Sequence, residues 1–450
     1  MTGMRFRSTR DAKLTAAFGE ALAQGLAPDG GLYVPVEWPH FPAGDWGPWG
    51  SLADTGAHLL APFVKGDPLA PSLAAITAEA FDFPAPVVPL GTDGRLTVLE
   101  LFHGPTAAFK DFGARFLAAC LARLRGPSSR PLTVLVATSG DTGAAVAAAF
   151  HGRPGIQVAV LFPKGRVSPT QERQLTCWGG NVRSFSVRGT FDDCQQLVKQ
   201  AFLDRQWQEE RALSSANSIN LGRLLPQAVY YAAASIAIWR RHGEPASFVV
   251  PSGNLGNAMA CIWARKLGLP IADVVLAHNA NRTVPDFLET GEWRPRPSVA
   301  TLSSAMDVGN PSNMERLRAL YPDLTEIRSA VSACTVDDEA IRARMRAGYE
   351  ELGQIWCPHT ATAAEAYARL PRERRESGRW VLVSTAHPAK FREIVEPLIG
   401  REVPVPESLI ELFARPTAST EIEADLASLR DALREDGRLQ DRIALWRAKR

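Results

Sequence analysis

The 450-residue chain has no long hydrophobic run, no metal-ligand spacing and no marked imbalance of charge. Its longest apolar stretch, Ala228 to Trp239, stops at Arg240 and Arg241. That is well short of the roughly 18 residues of a membrane-spanning helix. The N-terminus, MTGMRFRSTRDAKL, scatters charge where a signal peptide needs an apolar core. Both absences predict a cytoplasmic protein with no membrane partner. Lys plus Arg number 50 against 48 for Asp plus Glu, a net charge of +2, which gives no general reason to bind nucleic acid. Cys120, Cys177, Cys194, Cys261, Cys334 and Cys357 form no CxxC pair. They read as small apolar residues in a reducing compartment rather than as disulfides. The eight histidines include no HExxH, so no metal site is expected, and neither GxxxxGK[ST] nor GxGxxG occurs.

What is there is ordinary globular material, 46% apolar and 22% charged, at a length that suggests about three units. Proline and glycine break up the first ninety residues: Asp29-Gly30-Gly31 marks a turn, and Pro42 to Gly50 is unsuited to regular structure. Amphipathic stretches near Lys13 to Gln24 and Leu73 to Phe81 predict a small, mainly helical N-terminal unit over residues 1–85. Its edge falls near Phe83 to Gly91. Beyond it, buried-type strands are predicted at Leu132–Ala137, Val158–Phe162, Val182–Val187, Phe248–Val250, Val274–Ala277 and Trp380–Ser384. Helical stretches at Ala144–Phe150, Gln171–Trp178, Phe191–Phe202 and Ala258–Leu267 lie between them. This alternation predicts an α/β fold with parallel-type sheets flanked by helices over residues 86–400. The remainder, 401–450, is expected to be a helical tail. Its last thirty residues carry 14 charges, and Leu426, Leu429 and Leu433 form the one stripe that would dock it.

Three loops stand out because each follows an apolar run and opens a helix. Ala137-Thr138-Ser139-Gly140-Asp141-Thr142-Gly143 offers small residues, hydroxyls and helix-start amides suited to an anion. A capped strand-to-helix turn explains it equally well. Pro251-Ser252-Gly253-Asn254-Leu255-Gly256-Asn257 has the glycines of a backbone phosphate cradle. The third, Leu99 to Phe112, places one lysine, Lys110, among apolar residues behind a Gly-Pro turn. A desolvated lysine loses its preference for charge and can act as a Schiff-base amine or general base. A snorkelling surface lysine is the competing reading.

Taken together, LELFHGPTAAFKDFGARFLA, VATSGDTGAAVA, PSGNLGN and STAHPAKF resemble the signature segments of the threonine synthase family. These are pyridoxal 5'-phosphate enzymes of fold type II, the tryptophan synthase β-subunit-like class. The resemblance runs from RFRSTR and GLAPDGGLYVP through SANSINLGRLLPQ and TLSSAMDVGNPSN to STAHPAKF. It implies two subdomains with the active site between them. It also implies the conversion of O-phospho-L-homoserine and water to L-threonine and phosphate, the last step of threonine biosynthesis. A phospho-lyase releasing 2-oxobutyrate is the alternative within enzymes, and a non-catalytic binder that kept the fold is the alternative outside them. The substrate is the expected small-molecule partner, and the protein is expected as a monomer or homodimer.

The same resemblance assigns roles. Lys110 holds the cofactor and moves protons. Gly253, Asn254, Leu255, Gly256 and Asn257 cradle its phosphate, and Thr385 offers a hydroxyl to the pyridine nitrogen. Ser384 stays the alternative for that contact, because neighbours on a strand point to opposite faces. Thr138, Ser139, Asp141 and Thr142 surround the substrate, and Asn217 and Arg223 grip its phosphate. Each of the last two also has a structural reading, as a turn cap and a surface ion pair. His103 and His387 are expected to bond loop backbone. Position 255 is Leu where the family commonly has an aromatic, and 257 is Asn where it has Asp. Neither side chain is expected to matter much to a loop that binds through its backbone.

Overall fold

The structure is a computed structural model describing residues 3–47, 49–91, 94–125, 131–205, 207 and 212–434. The chain forms two compact units, one of residues 1–126 with 215–411, the other of 127–214 with 412–450. No helix among the described residues is long and apolar enough to cross a membrane.

The larger unit holds a six-stranded sheet. Its strands are β4 (Val87–Leu90), β5 (Leu96–Glu100), β10 (Ala246–Pro251), β11 (Ile271–His278), β12 (Ser332–Thr335) and β13 (Arg379–Ser384). They lie in the order β12-β11-β10-β13-β5-β4, parallel except for β4. Strands buried on both faces need continuous apolar runs, and β10 and β13 supply them. The proline-rich run Phe83 to Gly91 contains the edge strand β4. Pro89 is tolerated there because one side of an edge strand needs no ladder donor.

The N-terminal segment is less purely helical than its sequence suggests. Phe18–Gln24 and Leu73–Ala80 are helices, but β1 (Phe6–Ser8), β2 (Thr15–Ala16) and β3 (Tyr33–Pro35) form a small antiparallel sheet. Even the Pro42 to Gly50 stretch contains one 3₁₀ turn, Ala43–Asp45. Aromatic contacts tie this segment to the rest of its unit. Phe6 meets Phe18 at 5.6 Å within the segment, and Phe18 and Phe81 meet Phe116 outside it at 6.4 Å and 6.2 Å. Such offset and edge-on pairs add to the burial of their large apolar surfaces.

The smaller unit is a five-stranded sheet. Its strands are β6 (Leu132–Ala137), β7 (Ile156–Pro163), β8 (Val182–Arg188), β9 (Ala212–Ser215) and β14 (Thr420–Glu423), ordered β14-β8-β7-β6-β9. The β6–β7, β7–β8 and β8–β14 pairs are parallel. Residues 426–434 are helical, and Leu429 and Leu433 are buried beside Phe185, Val187 and Leu197, with Leu426 at the margin. The leucine stripe therefore docks as its spacing predicts. The tail expected to be helical from residue 401 thus also contains the edge strand β14, and its residues 435–450 lie outside the described residues.

Candidate functional site

Strands β10, β13 and β5 are neighbours in one parallel sheet, so their carboxyl ends open side by side. This is where α/β sheets bind ligands. From β5 the chain runs through Leu101 to Lys110, from β10 through the 251–257 loop, and from β13 straight into Thr385. Three of the segments singled out from sequence thus converge on one edge of the larger unit.

Lys110 is the first residue of the helix Lys110–Leu124. It is half-buried, with Nζ 5.3 Å from the centre of the Phe109 ring. The turn before it is held hard. Ala107 takes the left-handed φ of +52°, a conformation that costs a non-glycine residue about 1–3 kcal/mol unless its surroundings enforce it. Here His387 N donates to Ala107 O at 3.0 Å and Phe109 N to Thr385 O at 2.9 Å. Asp111, completely buried, accepts from Thr106 N at 2.8 Å and Thr106 Oγ1 at 2.7 Å. Burial raises its pKa, while the Thr106 bonds and the charges of Lys390 and Arg115 oppose the rise. Lys390, fully buried, donates from Nζ to Thr106 O at 2.8 Å. Sequence reasoning passed over Lys390, because a lysine in a loop looks solvated until its 284-residue separation from Thr106 is closed by the fold.

In the second loop Leu255 is left-handed at φ +61°, and the helix Gly256–Lys266 follows at once. Its first amides have no partner within the helix, so they face whatever occupies the loop. A Cβ on Gly253 would stand 2.7 Å from the Met306 Cα, closer than any real contact, so only glycine closes this wall. The side chain of residue 257 matters more than expected. Asn257 Oδ1 accepts from Tyr230 OH at 2.5 Å and Tyr231 OH at 2.8 Å, while its buried Nδ2 has no partner among the described residues. Asn254 is equally committed, donating to Ser218 Oγ at 2.7 Å and accepting from Ser312 N at 2.5 Å.

The Ser384 hydroxyl lies 2.9 Å from Thr360 Oγ1, whereas the Thr385 hydroxyl makes no hydrogen bond among the described residues. Asn217 is half-buried, its N–H bonded to Ser215 Oγ at 3.3 Å. Arg223 is only 2% exposed, so it is no surface ion pair. One Nη donates to Ala216 O, and Nε has no partner among the described residues. Burial lowers its pKa to about 10, against the pull of Asp111, and it stays charged at neutral pH. His387 Nδ1 accepts from Ala389 N at 3.2 Å as expected, but His103 pairs with Glu100 at 2.7 Å instead of with backbone.

The Ser139–Gly143 loop follows β6 in the smaller unit. Gly140 has φ +142°, and a Cβ there would strike the Gln171 amide at 2.4 Å. Thr138 Oγ1 accepts from Gly140 N at 3.0 Å and Gly143 N at 2.9 Å, so its hydroxyl is spent on the turn. Asp141 is buried and meets Gln171 Nε2 at 3.4 Å, which leaves Ser139 and Thr142 as the half-exposed hydroxyls.

The family model for pyridoxal-phosphate-dependent enzymes matches residues 83–386, and those for the threonine synthase N terminus and C-terminal part match 5–81 and 360–433. A threonine synthase from Serratia marcescens is 40% identical over 96% of this chain and 99% of its own. The chain belongs to the threonine synthase family. Crystal structures of threonine synthases from Escherichia coli and, with pyridoxal phosphate bound, from Brucella melitensis both superpose with a TM-score of 0.88. Each covers 96% of this chain, at 39% and 34% identity, and the match spans 100% and 99% of those proteins. The residues present fit the family's cofactor: an amine on a rigid turn, a glycine-walled cradle at a helix start, and an uncommitted hydroxyl where the third strand ends.

Proposed function

We propose that this chain converts O-phospho-L-homoserine and water to L-threonine and phosphate in the cytoplasm. The observation that carries this reading is Arg223, a charged guanidinium buried beside the lysine-bearing helix with an Nε donor left unpaired among the described residues. A buried unpaired donor is costly unless a ligand completes it, and phosphate is the natural match for a guanidinium.

Pyridoxal phosphate, when bound, supplies an electron sink for negative charge developing beside the substrate's amino-bearing carbon. Lys110 is the residue that would hold it, and its amine is placed to take and return protons at the substrate's α- and β-carbons. The clamp of Thr106, Asp111, Lys390 and His387 keeps that amine aimed. The amides of Gly253, Asn254, Leu255, Gly256 and Asn257 bind the cofactor phosphate. Thr385 donates to or accepts from the ring nitrogen, a reading favoured over Ser384 because the latter is engaged by Thr360. A hydroxyl there would hold no proton on the ring strongly, so the ring would be a weaker electron sink than beside a carboxylate. Asn217 and Arg223 bind the substrate phosphate. Thr138 and Asp141 shape the loop from which Ser139 and Thr142 reach the substrate.

The test is product analysis with the cofactor-loaded protein and O-phospho-L-homoserine. Equal yields of threonine and inorganic phosphate are expected. Phosphate with 2-oxobutyrate would make it a phospho-lyase, and no phosphate release at full cofactor occupancy would make it a binding protein.

A further inference from the structure

We infer that Arg316 is a positioning residue that fixes the hydrogen-bond polarity of the phosphate-binding loops, turning Ser218 into an obligatory donor. The inference rests on the reading above that residues 217–223 and 253–257 bind phosphate. Arg316 is fully buried, and no carboxylate among the described residues hydrogen-bonds its guanidinium. Its neighbour Glu315 is turned away onto Arg10 and Thr9. Instead the guanidinium donates to Tyr33 O at 3.1 Å, Ser218 O at 3.1 Å, Ile219 O at 2.7 Å and Asn313 Oδ1 at 2.7 Å. A buried cation with only neutral acceptors is an expensive way to pin a loop, and its contacts run directly into the phosphate site.

Arginine has no acceptor, so the Asn313 amide must face it with Oδ1. Its Nδ2 is thereby turned towards Asn254 O at 2.9 Å and Ser218 Oγ at 3.3 Å. Asn254 is oriented the same way, because the backbone N–H of Ser312 can only donate and so claims Oδ1. Asn254 Nδ2 then points at Ser218 Oγ, 2.7 Å away. Two amides therefore donate to one hydroxyl oxygen. Both lone pairs of Ser218 are filled, and its proton has to leave the network; no acceptor among the described residues takes it. Ser218 is half-exposed, so the proton is offered to a ligand. An anion needs donors only, and this chain of constraints guarantees one. Without Arg316, only the Asn254 carbonyl still orients the Asn313 amide, and an amide that turns over presents Oδ1 to Ser218, whose proton can then turn inward.

The test compares Arg316→Gln, Arg316→Lys and Asn313→Asp in the cofactor-loaded protein. Steady-state kinetics with O-phospho-L-homoserine and calorimetric titration with inorganic phosphate give the two readouts. Arg316→Gln should raise both KM and the phosphate Kd about tenfold while kcat changes by less than about threefold, the size expected for one lost charge-assisted donor. Arg316→Lys, still donor-only towards Asn313, should recover most of that loss. Asn313→Asp keeps the packing and gains an ion pair with Arg316, so it folds even if Arg316→Gln does not. It replaces the Asn313 Nδ2 donor by an acceptor oxygen, which draws the Ser218 proton inward, and should weaken phosphate by about tenfold or more. Unchanged KM and phosphate Kd in Asn313→Asp would overturn the inference, as would an Arg316→Gln that loses only kcat. If the wild-type holoenzyme bound no phosphate at all, the site reading itself would fall and take this with it. Wild-type binding that survives Asn313→Asp would remove the inference alone.

Discussion

Gly113 lies so close to Arg223 that a Cβ on the glycine would stand 2.4 Å from the arginine's carbonyl oxygen. The helix carrying Lys110 and the short helix Leu221–Leu224 therefore meet backbone to backbone, which only glycine permits. The buried Arg223 guanidinium also interacts electrostatically with Asp111, the residue after Lys110. Gly113→Ala should push the two apart, lowering stability by about 1–3 kcal/mol, the usual range for an overpacked site. Urea unfolding followed by tryptophan fluorescence measures it, and a variant as stable as wild type would show that the helices separate freely.

Replacing Lys110 by alanine should abolish the visible absorbance of the cofactor-loaded protein and cut turnover by about 10²–10⁴-fold, the contribution typical of a positioned proton-transfer group. Borohydride reduction of the wild type followed by peptide mapping should label the peptide containing Lys110. A label on Lys390 instead would reverse the roles of the two buried-side lysines.

Arg223→Ala should weaken O-phospho-L-homoserine by about 10–100-fold, because a lost hydrogen bond from a charged group costs about 1.5–3 kcal/mol. Binding of unphosphorylated homoserine should change little. Equal losses on the two ligands would identify Arg223 as structural only.

His387 carries a prediction about acid. Burial, and secondarily His103, lowers its pKa to about 4, with Lys390 acting in the same direction and Glu100 against it. The unfolded chain takes up that proton near 6.5. Between those values the unfolded state binds more protons, so this contribution is fully present above pH 6.5 and is lost as pH falls towards 4. The loss is on the order of 3 kcal/mol at about 1.4 kcal/mol per pH unit. His387→Gln, which can still accept from Ala389 N, should flatten the fall in stability over this window. His278, buried and pushed down to about 3, leaves a residual slope of the same sign. Identical acid profiles for wild type and variant would show that His387 is not the source.

Much of the fold is legible along the chain. Leu132–Ala137 is a strand at its expected ends because a parallel strand covered on both faces must be apolar throughout. Lys110, the 251–257 loop and Thr385 are legible for a similar reason: each is a contiguous motif at a strand end. Strands such as β12 and β14 escape notice because they are short and polar at sheet edges, and Thr420–Glu423 carries more charge than apolar surface.

The amino-acid order alone thus determines the local chemistry, namely which residues can turn, cap, cradle an anion or supply an amine, since these depend on neighbours within a few bonds. Tertiary structure alone decides which loops share an edge, that β13 enters between β10 and β5, that Arg223 is buried, and that Asn257 is held by two tyrosines. Arg316 shows why. Its four acceptors belong to Tyr33, Ser218, Ile219 and Asn313, up to 283 residues away. A hydrogen bond depends on distance in space, which spacing along the chain does not record.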